Sequence, residues 1–213
     1  MKLTTEQYEI QTARWPSEGQ HILAHYDDES IVVYQAYRQS IGRFAIENGY
    51  LGGPEFSLSR MSWIKPNFLW MMYRSGWGTK EGQETTLGLR ISRKFFEKIL
   101  EQSVVSSYDP AHAESRGHWQ REVQESDVRL QWDPDHSPSG AKLARRAVQL
   151  GLRGDILRLF AKAELFEVID LSDFVAVQRA NAADNLSSLV TPRELVYLPA
   201  SIEATRRLRL SSD

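Results

Sequence analysis

Short runs of alternating apolar and polar residues, separated by helical patterns, constrain the fold of this chain most. In Ser30–Tyr37 (SIVVYQAY) one of the two faces turns polar towards its end, at Gln35 and Tyr37. Glu84–Ile91 (ETTLGLRI) and Val128–Trp132 (VRLQW) alternate in the same way, and Asp133 follows the latter. Because successive side chains of a strand point to opposite faces, these runs predict half-buried strands.

Segments with helical spacing lie between the predicted strands. Apolar residues at i, i+3 and i+4, together with serine caps and a proline in a first turn, mark their positions. The predicted helices cover Ser40–Asn48, Pro66–Tyr73, Ser92–Glu101, Asp155–Ala163 and Ser172–Ala180. Ala141–Leu152 fits both patterns, and we predict a helix through Arg146 followed by a strand over Ala147–Leu152.

These elements predict a single α+β domain over residues 1–213, with a mixed or antiparallel sheet of about five to seven strands and helices packed on it. Polar composition predicts an N-terminal arm at residues 1–20 and a mobile loop at residues 103–127. A serine-containing extended piece, Glu55–Ser59, is expected before the central stretch.

Composition limits the compartment and the partners of the protein. The formal net charge is −2, so any basic surface must be local. There is no cysteine, which excludes disulfides and thiolate metal sites. The N-terminus MKLTTEQYEI lacks an apolar signal segment, and no uncharged apolar run approaches the ~20 residues that span a membrane. We predict a cytoplasmic protein without a membrane partner.

The stretch Ser59–Glu84 (SRMSWIKPNFLWMMYRSGWGTKEGQE) combines aromatic and cationic side chains to an unusual degree. It holds three of the six tryptophans, interleaved with four cations: Arg60, Lys65, Arg74 and Lys80. Aromatic faces beside fixed cations suit a flat, phosphorylated ligand, since the ring can stack and the phosphate can form ion pairs. Trp63 and Trp77 are the candidates for stacking. A solvated basic rim is the competing interpretation of the same cations.

The chain resembles the DUF4291 family in the runs YDDESIVVYQAY, RMSWIKPNFLWMMYRSGWGTK, VRLQWDP and RRAVQLGLRG. The resemblance extends from about Arg14 to Pro199 and carries no established activity. It implies that the following residues belong to the family's hallmark runs: Arg60, Trp63, Lys65, Trp70, Arg74, Trp77, Gln131, Trp132 and Asp133.

The order of elements also resembles ADP-ribosyltransferases and related transferases that use NAD. In those enzymes a polar residue of a first strand, a serine of a second strand and a late glutamate surround NAD. The resemblance implies Gln35 for the first place, Ser57 or Ser59 for the second and Glu84 for the third. Gln35 departs from the arginine or histidine usual there, and an analogy of fold does not establish a function.

We therefore predict an enzyme that acts on a nucleotide or another phosphorylated substrate, with a group transfer using NAD as one form of that chemistry. Glu84 and Asp133 are the candidate catalytic carboxylates. The candidate ligand-binding residues are Gln35, Tyr37, Arg60, Trp63, Lys65, Arg74, Trp77, Lys80, Arg129, Gln131 and Arg153. Two alternatives stay open: a non-catalytic module that binds RNA or DNA in a Trp, Arg and Lys groove, and a scaffold protein whose tryptophans are interface anchors.

No metal site is predicted, since a hairpin turn explains Asp27 and Asp28 more simply than a metal set with His25 does. The cofactor is undetermined, with NAD as the candidate, and the sequence does not give the oligomeric state.

Overall fold

The computed structural model describes residues 3–211, which form an α+β protein, and the predicted class is confirmed. The strands are β1 Thr5–Gln7, β2 Gly19–Gln20, β3 Ile22–Tyr26, β4 Ser30–Tyr37, β5 Ser62–Ile64, β6 Thr85–Ser92, β7 Ser103–Val105, β8 Val128–His136, β9 Lys142–Leu152, β10 Leu165–Asp170, β11 Val190–Pro192 and β12 Leu195–Tyr197. The helices are α1 Tyr8–Thr12, α2 Gln39–Asn48, α3 Phe68–Ser75, α4 Arg93–Glu101, α5 Arg116–Glu125, α6 Gly154–Arg158 (continued by a π-helical turn, Leu159–Ala163), α7 Ser172–Asp184 and α8 Ile202–Leu208.

Two five-stranded sheets carry the fold. The first has the order β10-β6-β4-β3-β12, with every neighbouring pair antiparallel. The second has the order β2-β9-β8-β7, and its fifth strand, β5, also pairs with β9. This second sheet is mixed, because β2 and β7 run parallel to their neighbours. A short pair, β1 with β11, lies apart from both.

The two sheets meet at Lys65. The backbone N–H of Tyr34 in β4 donates to the Lys65 carbonyl at 2.7 Å, and the Lys65 N–H donates back at 3.2 Å. Ile64 before it and Tyr34 beside it are fully buried. The backbone of Lys65 is therefore fixed between two packed sheets.

Helix α3 follows directly and has well-defined ends. The Asn67 side chain caps it by accepting the Trp70 N–H at 2.7 Å. Gly76 ends it in the left-handed conformation, with φ of 58°. Phe68 and Met72 are fully buried, so the helix is anchored while its Trp70 and Arg74 side borders the second sheet.

The helix predicted through Arg146 is wrong, because β9 is extended from Lys142 onward. It pairs with β8 along its length, from His136↔Lys142 to Val128↔Leu152. Strand β8 likewise continues past Asp133 to His136. A register shift between Pro134 and His136 accommodates the proline, which cannot donate to the ladder.

Several predicted irregular segments contain regular structure. The predicted arm includes β1, α1 and β2, and the predicted mobile loop, residues 103–127, includes β7 and α5; the mobility of that loop stays a prediction. The extended piece expected at Glu55–Ser59 is wrong, since the described backbone turns there and the next strand begins at Ser62. Within residues 3–211, no helix has the length and apolar character needed to cross a membrane.

Candidate functional site

A pocket of about 350 Å³ opens on the second sheet, beside the start of α3. Its lining comes from β5, α3, β8 and β9, and from Lys65, which lies between β5 and α3. The lining residues are Trp63, Lys65, Trp70, Arg74, Gln131, Asp133 and Gln149. Five of the predicted site residues therefore meet in one place, although more than sixty residues of chain separate Trp63 from Gln131.

The floor of the pocket is a pair of glutamines held by one carboxylate. Gln131 of β8 lies directly opposite Gln149 of β9. Asp133 accepts from both, through Oδ1 from Gln131 Nε2 and through Oδ2 from Gln149 Nε2, each at 2.8 Å. Because Asp133 fixes the two amide nitrogens, their carbonyl oxygens take defined orientations. Asp133 is a candidate for positioning these amides as well as for proton transfer.

Lys65 is a buried cation without a counter-ion. The residue is only 6% exposed, and its Nζ donates to the Trp63 carbonyl at 3.3 Å. No carboxylate of the described residues lies within ion-pair distance of it. Burial, followed by the nearby charge of Arg74, lowers the pKa of Lys65 to about 8, against the opposing effect of Asp133. A bound anion would favour the protonated amine.

Two indoles and a guanidinium complete the walls. Trp63 lies over Gly151, where an added Cβ would come within 3.0 Å of two of its ring carbons. The Trp70 ring stacks near Tyr73 and His136, with centroids 5.5 and 5.3 Å away. The exposed Arg74 guanidinium lies 6.0 Å from the Trp70 centroid.

Gln35 and Tyr37 support the pocket from behind β5. Gln35 Nε2 donates to Ser62 Oγ at 2.7 Å and to the Trp63 carbonyl at 3.1 Å. The Tyr37 hydroxyl donates to Gln35 Oε1 at 2.7 Å, and burial raises the pKa of Tyr37. These contacts hold the strand that carries Trp63, so both residues lie one contact away from the pocket lining.

Four other predicted residues of the central stretch or its end do not line this pocket. Arg60 is exposed before β5, and the exposed Lys80 donates to the Arg74 carbonyl at 2.7 Å. Trp77 donates to the Pro138 carbonyl at 3.2 Å and lines a different pocket. Glu84 accepts the Gly82 N–H at 2.7 Å. The glycine-rich turn after α3 separates these last three from Lys65.

Arg129 and Arg153 lie further along the second sheet. Arg129 is on the same face of β8 as Gln131 and Asp133. Arg153 donates from Nε to the Ser126 carbonyl at 3.0 Å.

The serines assigned by the resemblance to ADP-ribosyltransferases do not lie in a strand. Ser57 and Ser59 are exposed, and their hydroxyl oxygens are 2.9 Å apart. The serine that contacts Gln35 is Ser62 of β5.

Sequence reasoning missed Gln149 as a lining residue and Ser62 as a support. The alternation Ala147, Gln149, Gly151 was the available signal for Gln149, since it continues one strand face. Among the described residues, no cluster of three or more His, Asp or Glu side chains could hold a metal ion.

Residues 21–197 match the model of one family, described as Domain of unknown function (DUF4291). The match covers well over half of the chain, so the protein belongs to this family. A search of curated proteins finds no match.

Proposed function

We propose that the pocket binds a nucleotide or another small phosphorylated molecule and that the protein is an enzyme acting on it. The observation that carries the proposal is the convergence of Lys65 and Arg74 with Trp63 and Trp70 around one hollow. Burying an amine without a counter-ion is costly, and a phosphate would supply the missing charge. The volume lies within the usual range of small-ligand sites, ~300–1,000 Å³.

Arg74 and Lys65 would hold phosphate oxygens, with the guanidinium suited to two parallel hydrogen bonds. An indole would stack on the base. Asp133 supports the enzymatic part of the proposal, because a carboxylate inside the hollow can accept a proton or stabilise a developing positive charge. A group transfer using NAD is one reaction that these residues would serve, and NAD stays a candidate cofactor.

A non-catalytic module for RNA or DNA is the second candidate. The cations Lys65 and Arg74 in the pocket and Arg129 on β8 are the observation that favours it. The carboxylate of Asp133 within the hollow favours the enzyme, since a site that only binds a nucleic-acid backbone has no need of a general base. Affinity that increases with oligonucleotide length and falls steeply with salt would favour the module instead.

Binding of AMP, ATP, NAD and ADP-ribose, measured by calorimetry, tests the proposal. Lys65→Met is expected to weaken binding by about 2–5 kcal/mol, because its cation is desolvated. Arg74→Gln is expected to cost about 1–2 kcal/mol, because Arg74 is exposed.

Lys94→Met and Arg43→Gln are matched controls. Both residues are exposed on helices, outside the residues that line the pocket. They are expected to leave affinity within about 1 kcal/mol. If the pocket variants affect affinity no more than these controls, the ligand binds elsewhere.

A further inference from the structure

Arg129 precedes Gln131 and Asp133 on the polar face of β8. Its side chain lies on the same strand face as Gln131 and Asp133, both of which line the hollow. Arg129 is opposite Gly151 of β9, and Gly151 is in turn opposite Trp63 of β5. Two strand spacings, roughly 10 Å, therefore separate the backbones of Arg129 and Trp63. An arginine side chain can reach across much of that interval.

No described residue neutralises Arg129. Its Nε is buried without a hydrogen-bond partner, and its guanidinium forms no ion pair with a described carboxylate. The contrast with other arginines in the sheets is clear. Arg90 also has an unpartnered Nε, but it pairs with Glu167, and Arg145 pairs with Asp135. Buried donors are normally satisfied, so an unpartnered one requires an explanation.

A second arginine adds to the positive potential at this end. Arg153 donates to the backbone at Ser126 and lies 3.7 Å from Asp127. Burial, followed by repulsion from Arg153, lowers the pKa of Arg129. A bound anion near Arg129 would favour its charged form and offset both effects.

The Trp63 ring separates Arg129 from the pocket that Lys65 and Arg74 line. Gly151 contributes no side chain, and the space above it holds the Trp63 ring and Met61. Trp63 thus lies between two cationic positions, one formed by Lys65 and Arg74 and the other by Arg129.

We infer that Arg129 forms a second anion subsite beside Trp63, so that the ligand carries two separate phosphate groups, as a nucleoside bisphosphate does. This inference rests on the proposed function and adds to it the charge pattern of the ligand. Lys65 and Arg74 would hold one phosphate, and Arg129 would hold the other.

AMP and adenosine 3′,5′-bisphosphate are suitable probes, because they differ by one phosphate. Calorimetry should give the bisphosphate at least tenfold higher affinity for the unsubstituted protein. Arg129→Gln should remove that advantage while changing the affinity for AMP less than twofold, whereas Lys65→Met should weaken both. Arg129→Lys should restore part of the advantage, because it keeps the charge but not the planar fork.

Arg121→Gln, which removes an exposed arginine of α5, is the control and should change neither affinity. Arg129→Gln should fold, since the guanidinium that it removes has no partner among the described residues, and an unchanged or higher melting temperature would confirm this. Equal affinities for the two nucleotides, or a bisphosphate advantage that survives Arg129→Gln, would overturn the second subsite and leave the proposed function standing. Absence of binding of both nucleotides to the unsubstituted protein would overturn both.

Discussion

Two groups of buried charges differ in how completely they are paired. In the first, Asp135 accepts from Arg145 Nε at 2.8 Å and from Nη2 at 2.6 Å. Arg145 also donates to the Pro16 carbonyl at 2.6 Å and lies over the Trp15 ring. In the second, the pocket, a backbone carbonyl is the only partner of Lys65 Nζ among residues 3–211.

Glu194 is a second buried acidic group near this pair, and hydrogen-bond donors hold it. Its Oε1 accepts the Phe68 N–H at 2.7 Å, and its Oε2 accepts from Asn67 Nδ2 at 3.0 Å, so it holds the start of α3. Burial raises the pKa of Glu194 well above its usual value.

The comparison separates two uses of buried charge. Where a buried charge has a partner, removing that partner leaves the charge unsatisfied. Such a pair therefore contributes to the stability of the fold. Where a cation is buried without a counter-ion, the fold bears a cost that a ligand can relieve, and the group marks a site. Substitutions in the two groups should therefore change stability in opposite directions.

The largest effect is expected from Arg145→Met in the paired group. It leaves Asp135 buried and without its counter-ion, which should lower the free energy of unfolding by about 3–5 kcal/mol. Urea denaturation measures the change. Arg38→Met, in the exposed pair with Glu55, is the control and should cost no more than about 1 kcal/mol. Similar losses for both variants would contradict the distinction.

Lys65→Met should have the opposite sign and raise the free energy of unfolding at pH 7. The pKa of Lys65 is about 8 in the folded protein and 10.5 in an ordinary environment. A lowered lysine pKa destabilises the fold at and below pH 8, and the cost diminishes as the pH rises towards 10.5. At pH 7 this cost to the free energy of unfolding is roughly 3 kcal/mol.

Denaturation of Lys65→Met at pH 7 and pH 10 measures this effect. The advantage of the variant should shrink at the higher pH, whereas Lys94→Met should show no such change. A variant that is less stable than the parent at pH 7 would show that Lys65 belongs with the paired charges.

Gly151→Ala should disturb the pocket sterically. The added Cβ would lie 2.6 Å from the Met61 sulfur and 3.0 Å from two ring carbons of Trp63, so the ring must move. Crowding of this kind costs about 1–3 kcal/mol. Denaturation and the change in tryptophan fluorescence report it, and Gly117→Ala, at a position with open space, is the control. An unchanged fluorescence spectrum would mean that Trp63 is not held over Gly151.

The smallest effect concerns the pH dependence of nucleotide binding. If the bound phosphate needs a protonated Lys65, affinity for AMP should fall about tenfold between pH 7 and pH 9, because the free amine loses its proton near pH 8. Lys65→Arg should remove this dependence, since a guanidinium stays charged. A flat profile in the parent protein would exclude Lys65 from the contact.

Local patterns were sufficient to predict the longer strands, such as β4, β6 and β8, but not the short β5 that carries Trp63. Trp63, Lys65 and Arg74 belong to one run, and Gln131 and Asp133 share the face of an alternating strand, so composition and period pointed to them. The same run also contains Arg60, Trp77 and Lys80, which the turn after α3 and the loop before β5 direct elsewhere. Composition cannot distinguish these orientations.

The paired charges could not be predicted, because they depend on contacts between distant segments. Arg145 contacts Pro16, and Glu194 contacts Asn67. Gln149 was missed for a related reason. It lies in the predicted strand Ala147–Leu152, but only the register of β9 against β8 places it opposite Gln131.

The protonation of Lys65 is the most direct test of the account. Its side-chain amine can be titrated by NMR in the free protein and in the presence of AMP. The account predicts a pKa of about 8 in the free protein and a rise when the nucleotide is bound. A pKa near 10.5 that AMP leaves unchanged would contradict it.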